Sequence, residues 1–285
     1  MQPLFEHGLN LGGFSTRVLE LEGEGPPLVF FHGFSDSADT WRAAMANLGR
    51  VDRRAVAVDL PGFGKASPLR PGKVLPQLDR FGEAVARYAA PDGGAIVVGN
   101  SLGGCLALRL AERVELGLAG IVPVAPAGLD MAPWLRIIEA HPIIQGLLQS
   151  PVPIPEGVLR AAVGAVYRRV AFHRPRAVDP KAIAAFTSHF ADPRDVSRYL
   201  STGRTMFPEL KDPFRLERID CPVLVVWGER DRMVLSKGAQ RVVDALPQTR
   251  VELLDECGHC PQVECPDRFT ALLLDFVSEG VAQAA

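Results

Sequence analysis

The stretch Ile96–Leu108, IVVGNSLGGCLAL, decides how the rest of the chain is read. Ile96, Val97 and Val98 form a short β-branched run of the kind found in a strand buried on both faces. An apolar, helix-like run begins at Leu102. Between them stands one serine, Ser101, with Gly99 before it and Gly103 and Gly104 after it. A Gly-x-Ser-x-Gly turn from strand into helix holds the serine in a strained backbone conformation that lifts its hydroxyl above the sheet. Gly99 and Gly103 must then be small, because side chains there would collide with the neighbouring strand and helix. The turn also opens a helix, whose unpaired N–H groups favour negative charge developing beside the serine. The bland alternative is a glycine-rich turn with a solvated serine, so the surroundings have to decide.

Working outward, apolar strands alternate with helical periodicity. PLVFFHG (Pro27–Gly33) predicts a strand, and Trp41, Ala44, Met45 and Leu48 mark a helix face that Gly49 ends. RAVAVDLPGFG (Arg54–Gly64) predicts a second strand running into a Gly/Pro loop, followed by a helix face of Leu78, Phe81, Val85 and Tyr88. Strands are also expected at LAGIVPVAPAG (Leu118–Gly128), CPVLVVWGE (Cys221–Glu229) and RVELLDE (Arg250–Glu256). Between the last two lies a helix with Ala239, Val242, Val243 and Leu246 on one side. A final helix uses Phe269, Leu272, Leu273 and Phe276. This alternation predicts an α/β fold with a mostly parallel sheet covered on both faces. RVLELEG (Arg17–Gly23) alternates and is expected to begin an antiparallel edge.

The rhythm breaks from Pro126 to Arg215, where helical pieces are separated by prolines and polar turns. DPKAIAAF and DPRDVSRYL each place Asp before Pro, a helix cap followed by proline at the first helical position. The expected organisation is a core of residues 1–125 and 216–285 with a helical insert, 126–215, over the sheet's C-terminal edge.

With 285 residues and 47% hydrophobic content, the chain can build one large core or a core with an insert. A net charge of −2 and no basic stripe argue against nucleic acid and anionic membrane as partners. The N-terminus lacks the pattern of a secretory signal and no apolar run is long enough to span a bilayer, so the expected location is the cytoplasm. Five cysteines, an odd number, do not form a disulfide framework. CGHCPQVEC (Cys257–Cys265) holds one C-x-x-C without a second pair, so no metal site is expected. PGFGKAS lacks the first glycine of a phosphate loop, where Asp59 stands, and has Ala66 where Ser or Thr is required. No cofactor is expected.

A serine hydroxyl is a poor nucleophile without a base. Of six histidines, His259 follows the last expected strand and precedes the last helix, which places it at the same sheet edge as Ser101. His173 and His189 lie in the insert and are candidates to line a pocket. A base needs a carboxylate to fix its tautomer. Asp231, in WGERDRMV after the preceding strand, suits that role, with Asp130 its main rival and Glu229, Asp255 and Glu256 nearby competitors. Two backbone N–H groups suit a developing oxyanion, those of Leu102 and of Phe34 in FFHGFSDS. His32 and Gly33 would shape that loop, His32 mainly as a structural hydrogen-bonding residue.

In order along the chain, H-G-F, D-L-P-G-F-G, G-N-S-L-G-G, G-E-R-D and G-H-C-P resemble the α/β-hydrolase superfamily, with the insert similar to its variable cap or lid. The resemblance covers nearly the whole chain outside the insert and implies a triad of Ser101, Asp231 and His259. A serine at the elbow argues against relatives that use aspartate there. The expected activity is cofactor-free cleavage of a small carboxylic ester through an acyl-enzyme. Trp134, Leu135, Ile138, Leu147, Phe172 and Met206, with His32, are the candidate substrate-pocket residues and favour short to medium uncharged acyl or aromatic groups. Rival activities on the same fold are ring-cleavage C–C bond hydrolysis and perhydrolysis. A ligand receptor that retains the triad is a rival of another class. Either a monomer or a homodimer fits the sequence.

Overall fold

The computed structural model describes residues 2–133, 138–149 and 153–284. At its centre is an eight-stranded sheet: β1 (Leu4–Leu11), β2 (Phe14–Leu21), β3 (Glu24–Phe31), β4 (Arg53–Val58), β5 (Ile96–Asn100), β6 (Gly120–Val124), β7 (Leu224–Gly228) and β8 (Arg250–Leu254). They stand in the order β1-β2-β4-β3-β5-β6-β7-β8. β2 pairs antiparallel with β1 and β4, and every other pairing is parallel.

The antiparallel edge differs from the sequence expectation by one strand. β2 contains the expected Arg17–Leu21 stretch, but β1 lies outside it, in register from Leu4 opposite Leu21 to Leu11 opposite Phe14. Gly12 and Gly13, both at positive φ, make the two-residue hairpin between them. Gly8 and Asn10 are poor strand formers, and β1 is only half-buried, so its own residues carry little strand signal.

Helices cover both faces. α1 (Arg42–Leu48) packs on one face, where Trp41 lies 4.9 Å from Phe30 and 5.9 Å from Phe269, ring centre to ring centre. α2 (Leu75–Ala89) and α3 (Leu102–Ala111) cover the other, burying Phe81, Val85, Leu106 and Leu110 against Val56, Val97 and Ile121. The buried strands read as continuous apolar runs because neither face meets water.

Between β6 and β7 come α4 (Pro142–Gln149), α5 (Glu156–Ala171), α6 (Pro180–Thr187) and α7 (Pro193–Met206). The two Asp-Pro pairs start helices as their chemistry dictates. Asp179 accepts the Lys181 N–H, and Asp192 forms a reciprocal capping box with Asp195. Val163, Phe186 and Tyr199 of this segment join the same apolar cluster as Phe63 and Val225 beneath. α8 (Ala239–Ala245), α9 (Pro261–Glu264) and α10 (Pro266–Ala284) complete the chain. Among the described residues, no helix is long and apolar enough to cross a membrane.

The strand order brings the functional loops together. β3 lies between β4 and β5, with Phe31 opposite both Val58 and Gly99. The loops after β3 and β5 therefore leave neighbouring strands at one edge and diverge, the usual place for a crevice in such a sheet.

Candidate active site

Ser101 joins β5 to α3 with φ 55° and ψ −109°, a conformation non-glycine residues rarely adopt. It is over-determined by its surroundings. The Ser101 N–H donates to Val124 O at 2.9 Å, while its carbonyl accepts from Cys105 N and Ala127 N, each at 2.9 Å. A methyl group added at Gly99 would overlap the Gly103 carbonyl, and one at Gly103 the Phe31 carbonyl. Strand and helix can meet this closely only because both positions lack side chains.

His259 and Asp231 are in direct contact. Nδ1 of His259 lies 2.7 Å from Oδ2 of Asp231. A carboxylate can only accept, so Nδ1 carries the proton and Nε2 keeps its lone pair. Asp231 is itself tightly held. Its Oδ1 accepts from Met233 N at 2.8 Å and Val234 N at 3.1 Å, and its Oδ2 also accepts from Trp227 Nε1 at 3.1 Å. Ser101, Asp231 and His259 are 7%, 6% and 3% exposed, so bulk water screens none of them well. Nε2 of His259 is buried with no hydrogen-bond partner among the described residues. With Nδ1 committed to Asp231, the Nε2 lone pair is the ring's remaining acceptor.

The competing carboxylates point elsewhere. Asp130 pairs with Lys237 at 3.2 Å, Asp255 with Arg268 at 2.7 Å, and Glu256 with Arg174. Glu229 is exposed.

Residues without an assigned role in the sequence analysis hold this constellation in place. Asn100, immediately before the serine, donates from Nδ2 to the His259 carbonyl at 3.0 Å and so ties the histidine loop to the elbow. The His259 N–H donates to Ala171 O at the end of α5. Glu264 accepts from Gly258 N at 2.7 Å and from His173 N at 2.9 Å. Only the neighbouring G-N-S and G-H-C motifs hinted at these roles, because each contact joins residues far apart in the chain. Asp59 of D-L-P-G-F-G is fully buried and organises the loop after β3. It accepts from Ala38 N at 2.7 Å, Lys65 N at 2.8 Å and Arg17 Nε at 3.0 Å. Burial opposes the Arg17 charge, but hydrogen bonds to Asp59 and Asp39 outweigh it and raise its pKa.

His32 is a correction to the expected pocket. Nδ1 donates to Gly33 O at 2.7 Å and Nε2 accepts from Leu60 N at 2.8 Å, so both nitrogens serve the backbone. Burial pushes its pKa down to about 4 and keeps the ring neutral. The next residues approach the elbow closely, since a methyl group at Gly33 would sit 3.4 Å from Ser101 Cβ.

Above this edge is an apolar cavity of about 100 Å³. Phe34, Ser35 and Met233 line it from the sheet side, and Val163, Tyr167 and Phe186 are among those lining it from the helical segment. Of the expected pocket residues, Ile138 lines it. Phe172 instead packs with Val178, Ile183 and Cys260, and Met206 is buried in the main core. Their helical faces are apolar in either case, so sequence pattern does not separate the two uses. Trp134 and Leu135 lie outside the described residues, as does the side chain of Leu147. The cysteines are all free thiols. Cys257 Sγ is 3.5 Å from Cys265 Sγ, while Cys260 faces Asn100 and Tyr167.

A sequence model of the alpha/beta hydrolase family matches residues 28–272, which run from within β3 to within α10 and include every residue of this site after β2. The chain belongs to the alpha/beta hydrolase family. Among relatives of this hydrolase is the 2-hydroxy-6-oxo-6-(2'-aminophenyl)hexa-2,4-dienoic acid hydrolase of Metapseudomonas resinovorans. It is 24% identical over 279 residues, covering 96% of this chain and 91% of its own. Monoacylglycerol lipase ABHD6 of Homo sapiens is 23% identical over 263 residues, covering 90% of this chain and 76% of its own. Among solved structures, the CarC serine hydrolase involved in carbazole degradation superposes with a TM-score of 0.77 at 23% identity, over 97% of this chain and 99% of that one. That likeness concerns the fold.

Proposed function

We propose that this hydrolase cleaves carboxylic esters of short to medium uncharged acyl or aromatic groups, with Ser101, His259 and Asp231 as its triad. Nε2 of His259 takes the hydroxyl proton as Ser101 Oγ attacks the acyl carbon. Asp231 holds the tautomer and stabilises the imidazolium. The backbone N–H groups of Phe34 and Leu102 receive the oxyanion. The protonated His259 gives its proton to the departing alkoxide, and the acyl-enzyme is cleaved by water that His259 deprotonates. The helical segment, residues 126–215, acts as a cap that carries most of the acyl-binding wall.

The observation that carries this reading is the His259–Asp231 hydrogen bond, which leaves a buried, unpartnered Nε2 at the edge where the strained Ser101 sits. The apolar cavity lining supports an uncharged acyl group, because a carboxylate entering it would lose hydration without a matching partner. The decisive experiment is hydrolysis of a short-chain nitrophenyl ester by wild type and Ser101→Ala, with fluorophosphonate labelling of the serine. Undiminished turnover in the variant would refute the assignment.

A second reading, C–C bond hydrolysis of a dienoic acid, is favoured by the Metapseudomonas relative. Turnover of such a dienoate at a rate above that of any nitrophenyl ester would select it.

A further inference from the structure

One side chain of the cap reaches the turn that carries Phe34. His189, in the link between α6 and α7, places Nε2 2.8 Å from the Ser35 carbonyl oxygen. A carbonyl only accepts, so this nitrogen carries the proton and donates it. Asp36 N donates to Gly33 O at 3.3 Å and closes a four-residue turn with Phe34 and Ser35 in its middle. Ser35 has φ 54°, the left-handed third position of a turn that glycine or asparagine usually fills. Serine is strained there, so contacts outside the turn must hold it. The His189 ring is clamped for that task, with the rings of Phe190, Tyr199 and Phe186 centred 4.8, 5.6 and 5.8 Å away. Tyr199 also meets Phe34, at 6.4 Å.

We propose that His189 is a positioning residue for the oxyanion hole. By holding the Ser35 carbonyl it keeps turn 33–36 in the shape that aims the Phe34 N–H at the developing charge. Because the donor comes from the cap, seating the cap and completing the oxyanion hole are one event. The catalytic half of this inference rests on the ester-hydrolase reading; the structural half rests on the hydrogen bond alone.

The test compares His189→Leu, which removes the donor and keeps bulk, with His189→Gln, which restores an N–H of similar reach. On a nitrophenyl acetate substrate the leucine variant should lose kcat by about 10-fold or more, short of the roughly 10²–10³-fold loss of an oxyanion donor. Its KM should stay close to wild type, and glutamine should recover most of the rate. Amide hydrogen exchange across residues 34–37 should quicken in the leucine variant and not in the glutamine variant. Wild-type kcat and exchange in His189→Leu would overturn the proposal. So would a glutamine variant as impaired as leucine, or a loss confined to KM, which would make His189 a pocket wall. If the leucine variant does not fold, His189→Asn, whose amide falls short of the carbonyl, takes its place under the same criteria. Full activity in Ser101→Ala would sink the ester reading, while the exchange data would still decide whether His189 holds the turn.

Discussion

Replacing Asp231 by asparagine should separate chemistry from stability. The carboxylate receives four N–H donors: Met233 N and Val234 N on Oδ1, and Trp227 Nε1 and His259 Nδ1 on Oδ2. An amide has one oxygen and must choose. If its oxygen keeps the two backbone donors, its NH₂ faces His259 and Trp227. Trp227 loses little, because its N–H also reaches Val234 O at 2.9 Å. His259 must then accept at Nδ1 and carry its proton on Nε2, where a base needs a lone pair. The stability cost is one exchanged hydrogen bond, about 1–2 kcal/mol. The rate cost is that of a wrong tautomer, about 10⁴-fold in kcat or roughly 5.5 kcal/mol of barrier. Asp231→Ala should differ in the other direction, leaving the buried Val234 and His259 N–H groups without partners, at about 1–3 kcal/mol each, and the half-buried Met233 N–H as well. Steady-state kcat on a nitrophenyl ester and urea denaturation of the same preparations measure both quantities. An asparagine variant within ten-fold of wild-type kcat, or one as unstable as the alanine variant, would refute the tautomer argument.

Gly103→Ala should abolish turnover or soluble expression, since its methyl group would overlap the Phe31 carbonyl; ester assay of purified variant checks it. Asp59→Ala strands the buried Arg17 with a weakened partner set and should cost about 3–5 kcal/mol in denaturant titration. Phe186→Ala removes a ring stacked 3.5 Å from Tyr167 at the cavity wall. It should shift kcat/KM from acetyl towards longer nitrophenyl esters, and an unchanged chain-length profile would place the acyl group elsewhere. His32, at about 4 when folded, and Asp36, pushed up to about 7 by burial, have opposite linkage. Between pH 4 and 6.5 the unfolded chain holds the proton His32 refuses, so that group's stabilisation is lost as pH falls. Over the same range the folded chain holds a proton on Asp36 that the unfolded chain has released, so acidification stabilises it. Asp36→Asn should remove the second effect and make stability fall more steeply on acidification, by about 1.4 kcal/mol per pH unit relative to wild type. Parallel stability–pH curves would contradict that.

What was legible in the sequence divides along a physical line. The strands β3 to β8, the elbow and the Asp-Pro helix starts were readable because their causes lie within a few residues: β-branched runs, glycine spacing, a cap beside its proline. The topological position of His259 and Asp231 was readable for the same reason, since each sits at the end of a strand that announces itself. β1 was not, because its pairing depends on Gly12 and Gly13 and on a partner strand rather than on its own alternation. The cavity wall was hidden by a different ambiguity. Met206 and Phe172 carry the same apolar signal as Val163 and Phe186, and only tertiary packing decides which side chain fills a core and which faces a cavity.

The polar supports were the least readable, and they make the site what it is. Asn100 reaches His259 across 159 positions, Arg17 reaches Asp59 across 42, and His189 reaches Ser35 across 154. Each is a single donor or acceptor whose partner is chosen by strand order, not by neighbours in sequence. Placing β3 between β4 and β5 sets the Phe34 turn beside the elbow, and that same order brings Asp59 at the end of β4 under the turn to hold Ala38. A chain with every motif intact but β3 displaced would keep the Asp231–His259 pair, because β7 and β8 are neighbours, and lose the Phe34 turn beside Ser101. Variants that weaken the Arg17–Asp59 pair should therefore impair turnover before they disturb the His259–Asp231 hydrogen bond. A downfield Nδ1 proton resonance of His259 that persists in a slow Arg17→Met enzyme would reveal that order of failure; its loss in step with activity would refute it.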